Sequence, residues 1–307
     1  MRKLLALSLA AAAACGGGSF KDQAREALPD SGGVKMGPQQ TQMQSQPGTT
    51  QQNATQLSGW YLVTVAYSVA INAGTAWTLG VVEAVIESEP KSCTADSCTW
   101  GPGSNALDPN TYQLTVTRNA NGSFDWKLEG QSKAAPPGAP FSKIIYGNAV
   151  PSGQRHRGSG TFTVDLNAAA QLSGHSSDQG TIAIEYSNVG PAHVVAHFNG
   201  VKDQNNPTQL GNAYYNYQAD ITGGGDMEIA WHNLSTTERD DIHSRWKADG
   251  SGRADVTVQQ PAATATFSEC WSTAATGFNV VFSATVGSES ACSFAPAAPG
   301  SHINDAE

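Results

Sequence analysis

The residues of this chain that are best suited to chemistry are its cysteines, of which there are five. Cys93 and Cys98 lie five positions apart in a polar loop, a spacing that does not fit the closer pairs of a structural zinc site. If Cys15 serves another purpose, the other four cysteines can pair completely in an oxidising compartment. We expect two local disulfides, Cys93–Cys98 and Cys270–Cys292, with crossed pairings as the alternative.

Histidines offer metal binding as a second possible chemistry. His193 and His197 lie four positions apart, as do Glu228 and His232, so each pair shares one face if its segment is a strand. Each strand residue rises roughly 3.3 Å, which separates such side chains by about 13 Å and prevents them from sharing an ion. The sequence has no nucleophile elbow, HExxH helix or phosphate-binding loop motif. It therefore predicts no metal ligand, no cofactor and no catalytic residue.

Two groups of aromatic and polar residues could still contact a ligand. His243, Arg245 and Trp246 are close in sequence, and we expect Trp246 in the core with the other two on one shared face. A tyrosine-rich run could line a carbohydrate or lipid pocket, although ordinary packing is the favoured interpretation. Its members are Tyr214, Tyr215 and Tyr217.

The remaining cysteine, Cys15, follows a segment typical of cleaved secretion signals. Two basic residues precede an apolar run at positions 4–14, which is shorter than the roughly 20 residues that cross a bilayer. A cysteine at the end of such a segment resembles the bacterial lipoprotein signal. The resemblance implies removal of residues 1–14 and acylation of Cys15, palmitate included, and Gly16 in place of an aspartate implies the outer membrane. An ordinary signal peptide, cut after one of the alanines, is the alternative.

Composition limits the classes of partner. The chain has 307 residues, a formal net charge of −9 and only 17 lysines and arginines. A nucleic-acid surface needs clustered basic residues, and the densest basic spot is the short stretch at residues 155–157. We therefore expect no nucleic-acid partner, and the first expected partner is the membrane, contacted through the lipid.

Three regions are expected after the signal peptide. Residues 15–58 begin with the lipidated cysteine and are rich in glutamine, glycine, serine, threonine and proline, with too few apolar residues to order themselves. We predict a flexible tether there, which as a coil spans roughly 35–40 Å. A β-rich domain follows at residues 59–295, and residues 296–307 form a C-terminal tail.

The most apolar segment runs from Trp60 to Glu87 and carries no charge before Glu83. We predict a buried helix at about residues 69–88, ended by Pro90. Because a helix that is apolar on nearly all sides has to be enclosed, other structure should surround it. A β-hairpin over residues 60–75 and a transmembrane helix are the alternatives.

Short alternating runs separated by turn residues fill the chain after Cys98. The clearest turns are Asn119–Gly122 and Asp249–Gly252. About eleven or twelve strands result, without the strand–helix–strand spacing of a parallel sheet. The predicted fold is mainly β: a single antiparallel, strongly curved meander sheet, half-barrel or barrel-like, with one N-terminal buried helix. A two-sheet sandwich is the alternative.

The C-terminal half resembles uncharacterised bacterial outer-membrane lipoproteins in several motifs. The motifs include SRWKADGSGRADV at 244–256, SECW at 268–271 and SACSF at 290–294. The resemblance implies a shared domain in an anchored, secreted location, and it implies no activity. The late cysteine pair recurs in those relatives, which favours Cys270 pairing with Cys292. The architecture is also similar to half-barrel carriers of lipoproteins and lipids, an analogy of fold alone.

The expected function is that of a membrane-anchored, non-catalytic lipoprotein of the bacterial envelope. It would bind a hydrophobic or amphipathic small molecule on the apolar inner face of the sheet, or assist envelope assembly through an envelope protein. One alternative is a structural or surface-interaction lipoprotein that acts through loops 131–140 and 202–212. The other alternative is an enzyme of unknown class.

Overall fold

The fold is an antiparallel meander in which the strands follow one another in chain order from β1 to β14. The computed structural model describes residues 20–28, 58–104, 106–154, 157–175, 177–202, 208–274 and 277–307. Cys15 and most of the predicted tether lie outside these residues. The strands are β1 Ser92–Cys93, β2 Ser97–Gly103, β3 Asn110–Arg118, β4 Phe124–Ser132, β5 Ser142–Pro151, β6 Gly158–Asp165, β7 Thr181–Ser187, β8 His193–Lys202, β9 Leu210–Ala219, β10 Gly225–Asn233, β11 Arg239–Trp246, β12 Gly252–Gln260, β13 Ala263–Ala274 and β14 Gly277–Phe282.

The predicted antiparallel meander is therefore confirmed, with two more strands than the sequence patterns indicate. The additional strands are β1 and β2, which the Cys93–Cys98 disulfide joins. Segment 97–103 lacks clear alternation because Gly101 and Pro102 interrupt it, and its pairing with β3 shifts register at this point. In the described residues β1 and β14 are the two edges, so the sheet is not closed.

The two faces of the sheet differ in chemistry because side chains alternate along each strand. We call the apolar side the inner face. It carries the largest buried residues, and the opposite, outer face is mostly polar. Buried inner-face residues include Trp100, Leu114, Leu128, Phe162, Tyr215, Met227 and Trp271.

Helix α2 spans Gly59–Glu87, so it begins ten residues before the predicted start (69 − 59 = 10). Ser58 caps the N-terminus by accepting a hydrogen bond from Tyr61 N. Glu269 of β13 accepts further bonds from Ser58 Oγ and Trp60 N, at 2.5 and 3.1 Å. These contacts fix the start of the helix, and the alternative hairpin over residues 60–75 is wrong.

One side of α2 lies against the inner face, where Tyr61 contacts the rings of Trp271 and Phe278. Other side chains remain exposed, including Leu62 at 46% and Val69 at 46%. The expectation of enclosure on nearly all sides is therefore not met in the described part of the helix. None of the described helices combines the length and hydropathy needed to cross a bilayer.

A second helix, α1, spans Phe20–Ala27 and lies within the predicted tether. Ala24 is fully buried, and the Phe20 ring packs against the Phe124 ring at 5.9 Å. Arg25 donates hydrogen bonds to the carbonyls of residues 86–88 and so caps the C-terminus of α2. The prediction of a flexible tether is corrected for residues 20–28, which tertiary contacts hold on the domain.

A short helix, α3, spans Leu166–Ala169 between β6 and β7, and a 3-10 helix spans Glu289–Ala291. The last residues of the chain lie on the outer face. We call residues 288–307 the C-terminal segment. The predicted Cys270–Cys292 disulfide is present and joins this segment to β13. Ile303 and Ala306 are buried, so residues 296–307 pack on the domain and do not form the predicted tail.

Candidate functional site

A groove of about 890 Å³ lies where the β9–β10 and β11–β12 hairpins turn. Residues 218–222 form one wall, residues 245–249 form another, and Phe294 of the C-terminal segment adds a ring. Gly223 between the hairpin strands has φ +98°, a backbone conformation that favours glycine. A Cβ atom at Gly225 would lie 2.5 Å from the Trp246 ring, so glycine is also needed there for the close approach of the strands.

The groove combines positive charge with apolar surface. The Arg245 guanidinium lies 5.4 Å from the centroid of the Phe294 ring, and the Lys247 ammonium lies 5.9 Å from it. Ile221 is 86% exposed at the opposite wall. Asp220, Asp226 and Asp249 also line the groove, so its charges are of mixed sign. This combination suits a ligand that has an apolar part and a polar head.

A polar cluster lies beside the groove on the outer face. Glu228 of β10 is paired in register with His243 of β11, and Asp226 is the next outer-face residue of β10. Asp226 Oδ1 lies 2.7 Å from His243 Nε2, and Glu228 Oε1 lies 3.7 Å from the same nitrogen. Donor atoms of the three side chains all lie within 4.8 Å of one another.

His302 of the C-terminal segment closes this cluster. Its Nε2 lies 2.9 Å from Glu228 Oε2, and its Nδ1 lies 2.6 Å from Asp305 Oδ2. The ring also stacks on Tyr214, with 5.7 Å between centroids. Burial lowers the pKa of His302, but the hydrogen bond to Asp305 and the nearby carboxylates raise it above its usual value. The imidazole is therefore held among negative charges.

A buried ion pair fixes the C-terminal segment to the sheet. The Arg253 guanidinium, 1% exposed, lies 2.7 Å from Asp255 and 2.9 Å from Glu289 of the segment. Asp255 also accepts a hydrogen bond from Ala297 N at 3.1 Å. Burial acts to raise the pKa of Asp255, but the hydrogen bonds from Arg253 and its neighbours lower it below the usual value. The pair therefore favours the charged carboxylate.

The residues singled out in the sequence fall into different environments. Trp246 is buried in the core while His243 and Arg245 share the outer face, so that expectation is confirmed. Tyr215 and Tyr217 are core residues, as ordinary packing predicts. His193 pairs with Asn216, whereas His197 contacts Tyr214 and Glu228 contacts His243.

Sequence reasoning missed the cluster because it considered residues along single strands. The pairing of Glu228 with His243 depends on the register of neighbouring strands, and His302 arrives from the C-terminal segment. The β10–β11 hairpin register was the one signal in the sequence that could have brought the first two residues together. No family model, curated protein or solved structure matches this chain.

Proposed function

We propose that this protein is a non-catalytic lipoprotein of the bacterial outer membrane that binds an amphipathic ligand in the groove. The groove carries the proposal, because its volume of about 890 Å³ is within the range of small-molecule sites. Lys247 offers positive charge to a polar head, while Ile221 and Phe294 offer apolar contacts. The proposed ligand site is thus at the strand ends, whereas helix residues pack on the inner face of the sheet.

The anchor is Cys15, which we propose is acylated after removal of residues 1–14. Helix α1 starts at Phe20, five residues later. At roughly 3.5 Å per residue, the lipid-bearing cysteine lies within about 18 Å of the docked helix. The domain is therefore held near the bilayer surface and does not stand clear of it by the full length of residues 15–58.

We also propose that the sheet curves towards α2. Thr64 Oγ1 lies 2.7 Å from Ser244 Oγ on β11, and Trp100 on β2 donates a hydrogen bond to Ser88 O. The 24 residues from 64 to 88 rise about 36 Å as a helix. The nine intervals from β2 to β11 span about 43 Å in a flat sheet. Curvature of the sheet would accommodate this difference together with the reach of the contacting side chains, and a small-angle scattering profile that requires a flat sheet would contradict it.

The anchor is tested by the intact mass of the protein extracted from cell envelopes. The expected mass is that of a chain beginning at Cys15 plus its acyl chains, and the variant Cys15→Ser should lose both the acyl mass and the envelope association. An unmodified chain in the soluble fraction would contradict the anchor and leave the groove untouched.

The groove is tested by titrating the protein with a fluorescent fatty acid. Loss of the apolar contact in Ile221→Ser should weaken binding about tenfold, as should loss of the charge in Lys247→Ser. Leu107→Ser is the matched control, since Leu107 is 96% exposed and does not line the groove. Absence of saturable binding in an acylated protein would favour a structural lipoprotein that contacts an envelope protein through its loops.

A further inference from the structure

The polar cluster on the outer face has the donor set of a metal site. One imidazole nitrogen of His243 and carboxylate oxygens of Asp226 and Glu228 converge within 4.8 Å. The side chains of His243 and Glu228 are only 15% and 12% exposed, whereas that of Asp226 is 48% exposed, so the site is open to solvent on the Asp226 side. Nitrogen and carboxylate ligands in a partly dry site suit transition metals such as zinc.

His302 lies beside the three donors. Its Nδ1 lies 2.6 Å from Asp305 Oδ2, and its Nε2 lies 2.9 Å from Glu228 Oε2. A carboxylate that orients a histidine through its other nitrogen is the usual arrangement around a metal.

A buried acceptor beside the cluster points in the same direction. Asp241 is 3% exposed, and its Oδ1 has no hydrogen-bond partner. Its other oxygen accepts a bond from His302 N, and the carboxylate interacts electrostatically with both imidazoles. A cation at the cluster would offset the cost of burying this unpaired acceptor.

We propose that Asp226, Glu228 and His243 bind a divalent transition metal ion, with zinc as the best fit. His302 of the C-terminal segment contacts the Glu228 carboxylate as a neighbour of the ion, and Asp305 positions its ring. Bonds of about 2.0–2.2 Å to each donor require the cluster to open slightly between the His243 imidazole and the carboxylates. The ion needs neither the lipid anchor nor a groove ligand to bind, although Asp226 also lines the groove.

The experiment is a titration of the full mature protein, first freed of metal by chelation, with Zn²⁺ and separately with Co²⁺. One equivalent of Zn²⁺ should bind and raise the melting temperature. The variant His243→Ala should weaken binding more than about 100-fold, and Asp305→Asn about tenfold, because loss of an orienting partner has the smaller effect. The visible spectrum of bound Co²⁺ should change in His302→Ala.

The matched control is His175→Ala, since His175 forms a similar pair with Asp178, at 2.9 Å, away from the cluster. Its affinity for Zn²⁺ should equal that of the unmodified protein. Urea midpoints measured without metal separate loss of a ligand from loss of the fold, and Glu228→Gln provides a second variant that keeps the side-chain shape. The proposal is overturned if no stoichiometric ion binds, or if His243→Ala and Glu228→Gln, both folded, bind Zn²⁺ as tightly as the control.

Discussion

Replacement of Asp255 by asparagine should destabilise the protein by about 3 kcal/mol at pH 7. The Asp255 oxygens lie 2.7 Å from Arg253 Nη2 and 3.0 Å from Arg245 Nη2, and they accept a bond from Ser268 Oγ at 2.7 Å. Breaking a buried ion pair costs about 3–5 kcal/mol, because the remaining charge stays buried without compensation. The expected cost lies at the lower end of this range, since Glu289 still contacts Arg253 and the amide oxygen of the new asparagine can still accept a hydrogen bond.

The destabilisation caused by Asp255→Asn should decrease as the pH falls. The pKa of Asp255 in the folded protein lies below its ordinary value of 3.8. A carboxyl group with a lowered folded pKa contributes stability above the unfolded pKa and loses it as the pH falls through the folded pKa. The difference between the two proteins should therefore be full at pH 7 and should shrink progressively as the pH falls below 3.8 towards the lower folded pKa.

Urea unfolding followed by tryptophan fluorescence measures both quantities. Asp125→Asn is the matched control, since Asp125 is an exposed carboxylate on β4 that accepts one bond from Asn148. It should change stability by less than about 0.5 kcal/mol. The reasoning is refuted if Asp255→Asn costs less than about 1 kcal/mol at pH 7, or if its cost at pH 3 equals its cost at pH 7.

Three further predictions concern the Cys270–Cys292 disulfide, the buried carboxyl of Asp240 and the close strand contact at Gly252. Opening the disulfide between Cys270 and Cys292 with serines should cost about 3 kcal/mol, measured by urea unfolding, because its closed loop has 22 residues of sequence separation. Burial raises the pKa of Asp240 to about 6, so Asp240→Asn should stabilise the protein by about 1 kcal/mol at pH 7, after allowance for partial exposure, and have no effect at pH 3. Gly252→Ala should lower the melting temperature by several degrees, because the new Cβ atom would lie 2.5 Å from the Trp271 ring.

Each of these predictions has an outcome that contradicts it. An unchanged urea midpoint without the disulfide would mean that Arg253 and Ile303 hold the C-terminal segment without it. A stabilisation by Asp240→Asn that persists at pH 3 would show that charge is not the cause. For the glycine, Gly103→Ala is the control, because a Cβ atom at Gly103 meets no atom within 4 Å. If the two alanine variants lowered the melting temperature equally, a steric clash with Trp271 would be excluded as the cause.

The sheet could be predicted from sequence because its determinants are local. Segments such as Tyr112–Arg118 alternate strictly, and the Asp249–Gly252 turn connects its strands with residues that favour a hairpin. Both predictions are confirmed by the structure, in β3 and in the β11–β12 hairpin. The disulfides followed from cysteine number and proximity in sequence. Each of these features needs only a short stretch of chain to define it.

The features that were missed depend on distant contacts. The composition of α1 is typical of a linker, because Phe20 and a few alanines are its main apolar residues. The helix is stabilised by its contacts with Phe124 and with the C-terminus of α2. The cluster requires the register of β10 with β11, and then His302 from 59 residues beyond His243 (302 − 243 = 59). Neither a composition nor a periodicity contains that information.

The order in which the chain is synthesised determines when α2 can form its contacts with the sheet. Each strand bonds to the strand made just before it, so the growing sheet can assemble progressively, hairpin by hairpin. Tyr61, by contrast, waits for Trp271, which is made 210 residues later (271 − 61 = 210). Until then the first turn of the helix lacks its aromatic partners. Chains that stop before β13 should for this reason aggregate even though most of their hairpins are complete.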